Sequence, residues 1–146
     1  MQVLNLIMLK RITKNRIIYL AVLLAFCWNL FLLVGVVLNL DFAQTRAAGG
    51  QFNDFPMALR VVYLFQTIVV GYQVWIFKKI FHSESIKLKW LPKVFFFVGI
   101  IGIFLNVASR SSNERWNVIP AAVITWAFWH FGVKKENSGL QEEPSN

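Results

Sequence analysis

Residues 17–40 form a run of about 24 residues in which Asn29 and Asn39 are the polar interruptions. A helix over this run has no polar face to turn toward water. At about 1.5 Å per residue it is long enough for the ~30 Å hydrocarbon core of a bilayer. It is too long for the 7–15-residue core of a signal peptide, and no small-x-small cleavage site follows it, so it reads as an uncleaved first span. Three further apolar runs, at about 57–77, 92–109 and 116–133, repeat the pattern. The expected fold is all-α: a transmembrane bundle of four helices occupying residues 1–135, followed by a disordered polar tail at 136–146.

Composition agrees. Hydrophobic residues make up 57% of the chain and charged residues 15%, with a mean hydropathy of +0.54. Soluble domains carry about 25% charged residues. The net charge of +8 comes from lysines and arginines that flank apolar runs. That distribution points to lipid headgroups and excludes a nucleic-acid-binding domain. Cys27 is the single cysteine, so an intrachain disulfide and a multi-thiolate metal site are excluded.

The charges also set an orientation. Lys10, Arg11, Lys14, Arg16, Lys78, Lys79, Lys87, Lys89, Lys93, Lys134 and Lys135 fall on one side of the expected spans; Arg46, Arg60, Arg110 and Arg115 fall on the other. The positive-inside rule places the first set, and both termini, in the cytoplasm of a multi-pass protein of the cell (inner) membrane. Every lysine is then inside and every outer cation is an arginine, whose planar fork suits carboxylate and phosphate.

The connections read as follows. Residues 1–16 form a short interfacial helix. Residues 41–56 form a loop with a flexible Ala47-Ala48-Gly49-Gly50 centre, and Asn53 or Asp54 caps the next helix before Pro56. Residues 78–90 form a basic connector. Ser111-Ser112-Asn113-Glu114 fits a capping box, and Pro120 then falls inside the last helix, where it should clash with the Trp116 carbonyl and kink the chain. Gly71, Gly99 and Gly102 are expected to mark close helix contacts.

Polar chemistry is concentrated between Asn106 and Pro120. Arg60, Asn106, Arg110, Glu114, Arg115 and Trp116 form a candidate outer cluster. Asn106, Arg110 and Glu114 recur at a spacing of four, and Arg60 shares a face with Tyr63 and Thr67. The cluster either binds an anionic headgroup, a peptide carboxylate or a partner's acidic loop, or it consists of ion pairs (Arg110–Glu114, Arg60–Asp54) that fix the turns. Asn29, Gln66 and Gln73 form a candidate intramembrane polar set, serving as helix glue or as ligands in a cavity. His82 and His130 are expected near the cytoplasmic side as unliganded interfacial histidines. No catalytic residues, metal ligands or cofactor motif are identified.

The stretch Asn106-x-x-Ser109-Arg110-Ser111-x-x-Glu114-Arg115-x-x-x-x-Pro120 resembles a segment of small, uncharacterised four-span bacterial membrane proteins. In those proteins a short outer Ser-Arg-Ser-x-x-Glu-Arg turn, then a Trp and a Pro, links the last two helices. Here Asn117, Val118 and Ile119 separate Trp116 from the proline. The resemblance implies a bacterial multi-pass membrane protein and no particular activity. The expected role is a non-enzymatic accessory or interaction subunit, with the bilayer and a membrane-protein partner or a second copy of the chain as its contacts. A small oligomeric transporter or lipid-binding protein is the alternative. An outer-face enzyme using Glu114 or Asp54 as base is a third reading.

Overall fold

The computed structural model describes residues 2–134, with side chains from residue 15 onward; the tail expected at 136–146 lies outside the described residues. All regular structure within them is helical: α1 (Gln2–Val37), a one-turn α2 (Asp41–Gln44), a 3-10 turn (Ala48–Gly50), α3 (Met57–Phe81), α4 (Leu91–Val107), a one-turn α5 (Ser112–Arg115), and α6 (Val118–Ala127) running on into a π-helical segment (Phe128–Val133). Two stretches, Asn15–Val37 and Met57–Phe81, are long and apolar enough to cross a membrane. The shorter α4 is also apolar.

The separate interfacial helix expected at 1–16 is absent: α1 is one helix of 36 residues. Nothing in its sequence before Gly35 breaks a helix, since neither glycine nor proline occurs there. It ends in a Schellman motif. Asn39 adopts φ +58°, the Leu40 amide reaches the Gly35 carbonyl (2.8 Å), and the Asn39 amide reaches Val36 (3.1 Å). Asn39 is thus a helix terminator. Ser83 (φ +62°) closes α3 in the same way through Glu84 N–H to Lys79 and Ser83 N–H to Ile80, which extends that helix past the expected end at residue 77.

The last helix differs from expectation for a local reason. The chain breaks at Trp116–Asn117, and α6 begins at Val118. Pro120 therefore occupies the first helical turn, where its missing N–H costs nothing. The Trp116 carbonyl accepts from Ile119 instead (3.2 Å).

α1 packs against both α3 and α6, and α6 packs against α4, whereas α3 and α4 barely meet. The order of neighbours is thus α3, α1, α6, α4. Antiparallel pairing brings Tyr19 near the start of α1 onto Phe81 at the end of α3 (ring centroids 4.8 Å). It also brings Arg60 of α3 to Val37 at the end of α1. One end of the bundle therefore carries Lys78, Lys79, Lys87, Lys89, Lys93 and Lys134; the other carries Arg46, Arg60, Arg110 and Arg115.

The main core lies toward the lysine end. Phe26, Phe77 and Phe128 are fully buried there, with Phe26 contacting both others (5.9 and 6.4 Å) and Phe95 packing on Phe128 (5.2 Å). Of the glycines expected at close contacts, Gly99 is one: a Cβ there would lie 2.2 Å from Thr125 Oγ1. Gly71 and Gly102 face open space, and Gly132, against Pro92, makes the second close approach between α4 and the last helix. A smaller core of Val36, Ala43, Ala47 and Phe55 seals the loops at the arginine end.

The exterior is apolar. Leu24, Phe65, Phe104 and Leu105 are each 68–70% exposed, and the most apolar window of α3 is only 11% buried. Exposed apolar surface on this scale is characteristic of faces that meet lipid or another protein.

A polar cavity at the arginine end as the candidate functional site

The two connections at the arginine end are tied together by one carboxylate. Ala48, Gly49 and Gly50 all adopt left-handed backbone (φ +51°, +72° and +66°), which turns the Gly49 amide toward Glu114 Oε2 at 2.8 Å. The Ser109 hydroxyl donates to the same oxygen. The stretch expected to be flexible is thus a defined turn held from the opposite connection. Ser111 caps α5 by accepting the Glu114 amide (3.3 Å), as the capping box requires, and its hydroxyl donates to the Thr45 carbonyl. The reciprocal half of the box is missing because the Glu114 side chain is used across the loops.

Neither expected ion pair forms. Glu114 takes neutral donors, and Arg115 Nε donates to the Ser109 carbonyl at 2.9 Å. Asp54 accepts from the Asn39 amide group, while Asn39 Oδ1 accepts the Phe55 N–H (2.8 Å). Asp54 therefore does not cap α3, whose cap residue, Pro56, makes no side-chain bond. Arg60 Nε reaches the Val37 carbonyl at 2.7 Å, satisfying an orphan acceptor at the end of α1 with a cation placed favourably on the helix dipole.

Between these loops and the aromatic core lies a cavity of about 150 Å³. α1 contributes Trp28, Asn29, Leu32 and Leu33; α3 contributes Tyr63 and Gln66; α4 contributes Asn106. Arg46 and Ala47 of the first connection, and Glu114, Asn117, Pro120 and Ala121 of the second, complete the lining. Asn29 sits roughly 12 Å below the end of α1, and Gln66 roughly 13 Å from the start of α3, at about 1.5 Å per residue. Phe26, nearly one turn further down α1, belongs to the buried aromatic cluster on the lysine side of Asn29.

The polar lining divides into engaged and free groups. Asn117 is engaged on both sides: its Oδ1 accepts Trp28 Nε1–H (3.1 Å), and its Nδ2 donates to the Arg46 carbonyl (3.2 Å). Arg46 lies over the Trp28 ring at 5.8 Å from its centre. Asn106 Nδ2 donates to Gly102 (2.9 Å), leaving its Oδ1 available. The Asn29 and Gln66 side chains make no hydrogen bond to protein. The cavity is lined by carboxamides, one guanidinium, one carboxylate, a phenol and an indole beside its apolar groups.

Asn29, Gln66, Asn106 and Glu114, drawn from both expected sets, are thus brought to one cavity. Gln73 is not; it is buried elsewhere on α3, at 8% exposure. Arg60, Arg110 and Arg115 do not line the cavity, and Arg110 is exposed on its turn. Trp116 is 67% exposed and faces away from the cavity onto an apolar groove. Sequence reasoning missed Trp28, Arg46 and Asn117 as site residues. Trp28 is the immediate neighbour of Asn29, and Asn117 follows the singled-out Arg115-Trp116 pair; those adjacencies were the available signals. His82 packs against Tyr19 (5.7 Å), and His130 stacks on Trp126 (5.0 Å). Among the described residues no group of three or more His, Cys, Asp or Glu is placed to hold a metal. Comparison with protein-family models, with curated proteins and with solved structures finds no match to this chain.

Proposed function

We propose that the chain is a four-span protein of a bacterial cell membrane, with both termini cytoplasmic, and that it binds the polar group of a small molecule or lipid in the cavity at its outer end. The observation that carries this reading is the pair Asn29 and Gln66. Both are carboxamides on the long apolar helices, both face the same cavity, and neither has a partner within the protein. Neither amide is fully buried, so both are open to an occupant, and two carboxamides that converge on one space suit one with its own donors and acceptors. The cation distribution supports the orientation, because the lysine-rich end takes the cytoplasmic side and leaves the arginines and the cavity outside. The buried aromatic cluster below Asn29 favours a binding role over a continuous pore.

The test replaces Asn29 and Gln66 together by leucine. Native mass spectrometry of the protein released from membranes should show a retained small molecule or lipid on the parent and none on the variant, with the variant at least as heat-stable. Equal retention by both proteins overturns the reading.

A second reading, an accessory subunit, is favoured by α3. Its outward face shows Phe65, Ile68 and Trp75 at 50–68% exposure, with Tyr72 stacked on Trp75 (5.5 Å). Recovery of a stoichiometric membrane-protein partner, lost when Phe65 and Trp75 are changed to leucine and alanine, supports it; isolation as a lone chain from mild extracts counts against it.

A further inference from the structure

We propose that the occupant of the cavity is a zwitterionic phospholipid of the ethanolamine type, with its ammonium–phosphate head inside and one acyl chain leaving between α1 and α6 along an apolar groove. This rests on the binding reading above and adds the class of ligand and its route.

The groove is a separate feature of about 410 Å³, lined by Ala21, Ala25 and Trp28 of α1, by Ile119, Pro120 and Val123 of α6, and by Trp116. It exists because Ala21 and Ala25, four apart on one face of α1, are short where their neighbours Leu20 and Leu24 are long. Its lining offers almost no polar surface. Trp28 and Pro120 line both the groove and the cavity, so that pair stands between the two spaces. The indole N–H points to Asn117 at the cavity while the ring borders the groove, which is how an indole sits at a polar–apolar boundary. A ligand that fills both spaces must itself be polar at one end and hydrocarbon at the other.

The charges choose the head. The cavity contains one cation, Arg46, and one anion, Glu114. Glu114 spends Oε2 on Gly49 and Ser109, and Oε1 accepts no hydrogen bond. The Arg46 side chain, half-buried, contacts the Trp28 face and no carboxylate. A guanidinium with free N–H groups suits a phosphate, and a free carboxylate oxygen suits an ammonium. Asn29 and Gln66, deeper, suit ester or phosphate oxygens. A cavity of about 150 Å³ is the size that takes a benzene-sized group in other proteins, which matches a compact ammonium head better than a sugar.

The test uses nanodiscs of phosphatidylglycerol holding a minor share of phosphatidylethanolamine with a photoactivatable diazirine in one acyl chain. Labelling of the unmodified protein should saturate, map to residues 21–28 and 116–123, and be competed by untagged phosphatidylethanolamine but not by added phosphatidylglycerol. Ala25→Leu, which narrows the groove, should lose most of that saturable labelling, while the outward face of α3 stays labelled in proportion to probe. A parallel measurement asks whether water-soluble phosphoethanolamine slows alkylation of Gln66→Cys in a Cys27→Ser background. Protection together with non-saturable labelling spread over all lipid-facing helices overturns the chain route and leaves the head site standing. Equal competition by phosphatidylglycerol overturns the zwitterionic head. Absence of both protection and saturable labelling overturns the cavity reading as well.

Discussion

The carboxylate of Glu114 accepts the backbone amide of Gly49 at 2.8 Å, joining connections that lie 65 residues apart in the chain. Glu114 also lines the cavity, and both partners are specialised for the bond. Gly49 holds φ +72°, and a Cβ added there would meet Gln51 Nε2 at 2.8 Å. Gly49→Ala should destabilise the protein by about 1–2 kcal/mol, the usual cost of a left-handed backbone for an L side chain. Glu114→Ala should cost about 1–3 kcal/mol by leaving the amide without its acceptor. The double variant should lose less than the sum, because without Glu114 the turn is free to leave the left-handed conformation that strains the alanine. Thermal unfolding in a single detergent checks all three.

Gly99 and Gly102 look equivalent in sequence and differ in space. Gly99→Ala drives a methyl group into Thr125 Oγ1 at the α4–α6 contact, whereas Gly102 has nothing within 4 Å. The first should cost about 1–3 kcal/mol as an overpacked contact. The second should be neutral or gain up to about 1 kcal/mol from helix propensity. Thr125→Ala should rescue Gly99→Ala only in part, because the Thr125 Cβ itself would stand 3.1 Å away. Melting temperatures of the two single variants and the rescue decide this.

Of Arg60 and Arg110, Arg60 is the one placed to matter for the fold. Its Nε–H to Val37 carbonyl bond, at 2.7 Å, caps α1. Arg60→Leu should cost about 1–2 kcal/mol, from a charge-assisted bond and a helix-end interaction together. Arg110→Leu, at an exposed position, should stay within about 0.5 kcal/mol. Comparable losses at both positions would contradict this assignment.

How much of this was legible in the sequence follows from how local each feature is. Long apolar helices were visible because hydrophobic runs need no partner to be recognised. Asn29, Gln66, Asn106 and Glu114 stood out as polar groups in an apolar chain, and the structure gathers them. Their other neighbours were hidden. Arg46 reaches the cavity through a connection whose path depends on three left-handed residues and on Asn39 ending α1, and no spacing rule encodes that. The expected Arg110–Glu114 pair assumed continuous helix, but the helix stops at Val107 and restarts at Ser112, so the spacing of four carries no meaning there. Pro120 departs from the expected kink for the same reason: its effect depends on where the helix begins, and the break at Asn117 makes it a first-turn residue. Gln73, seven residues from Gln66, drops out because the cavity ends above it.

Gln66 offers the most direct measurement of the central claim, since its side chain is exposed, lines the cavity and sits roughly 13 Å from the end of its helix. Gln66→Cys in a Cys27→Ser background is treated, in intact cells, with a membrane-impermeant thiol reagent. Modification from outside, slowed where a lipid head occupies the cavity but still faster than at Phe65→Cys, one position along and facing away, is the expected result. A Gln66→Cys thiol that reacts only after the membrane is permeabilised, or no faster than Phe65→Cys, would contradict a water-accessible polar cavity opening to the outer face.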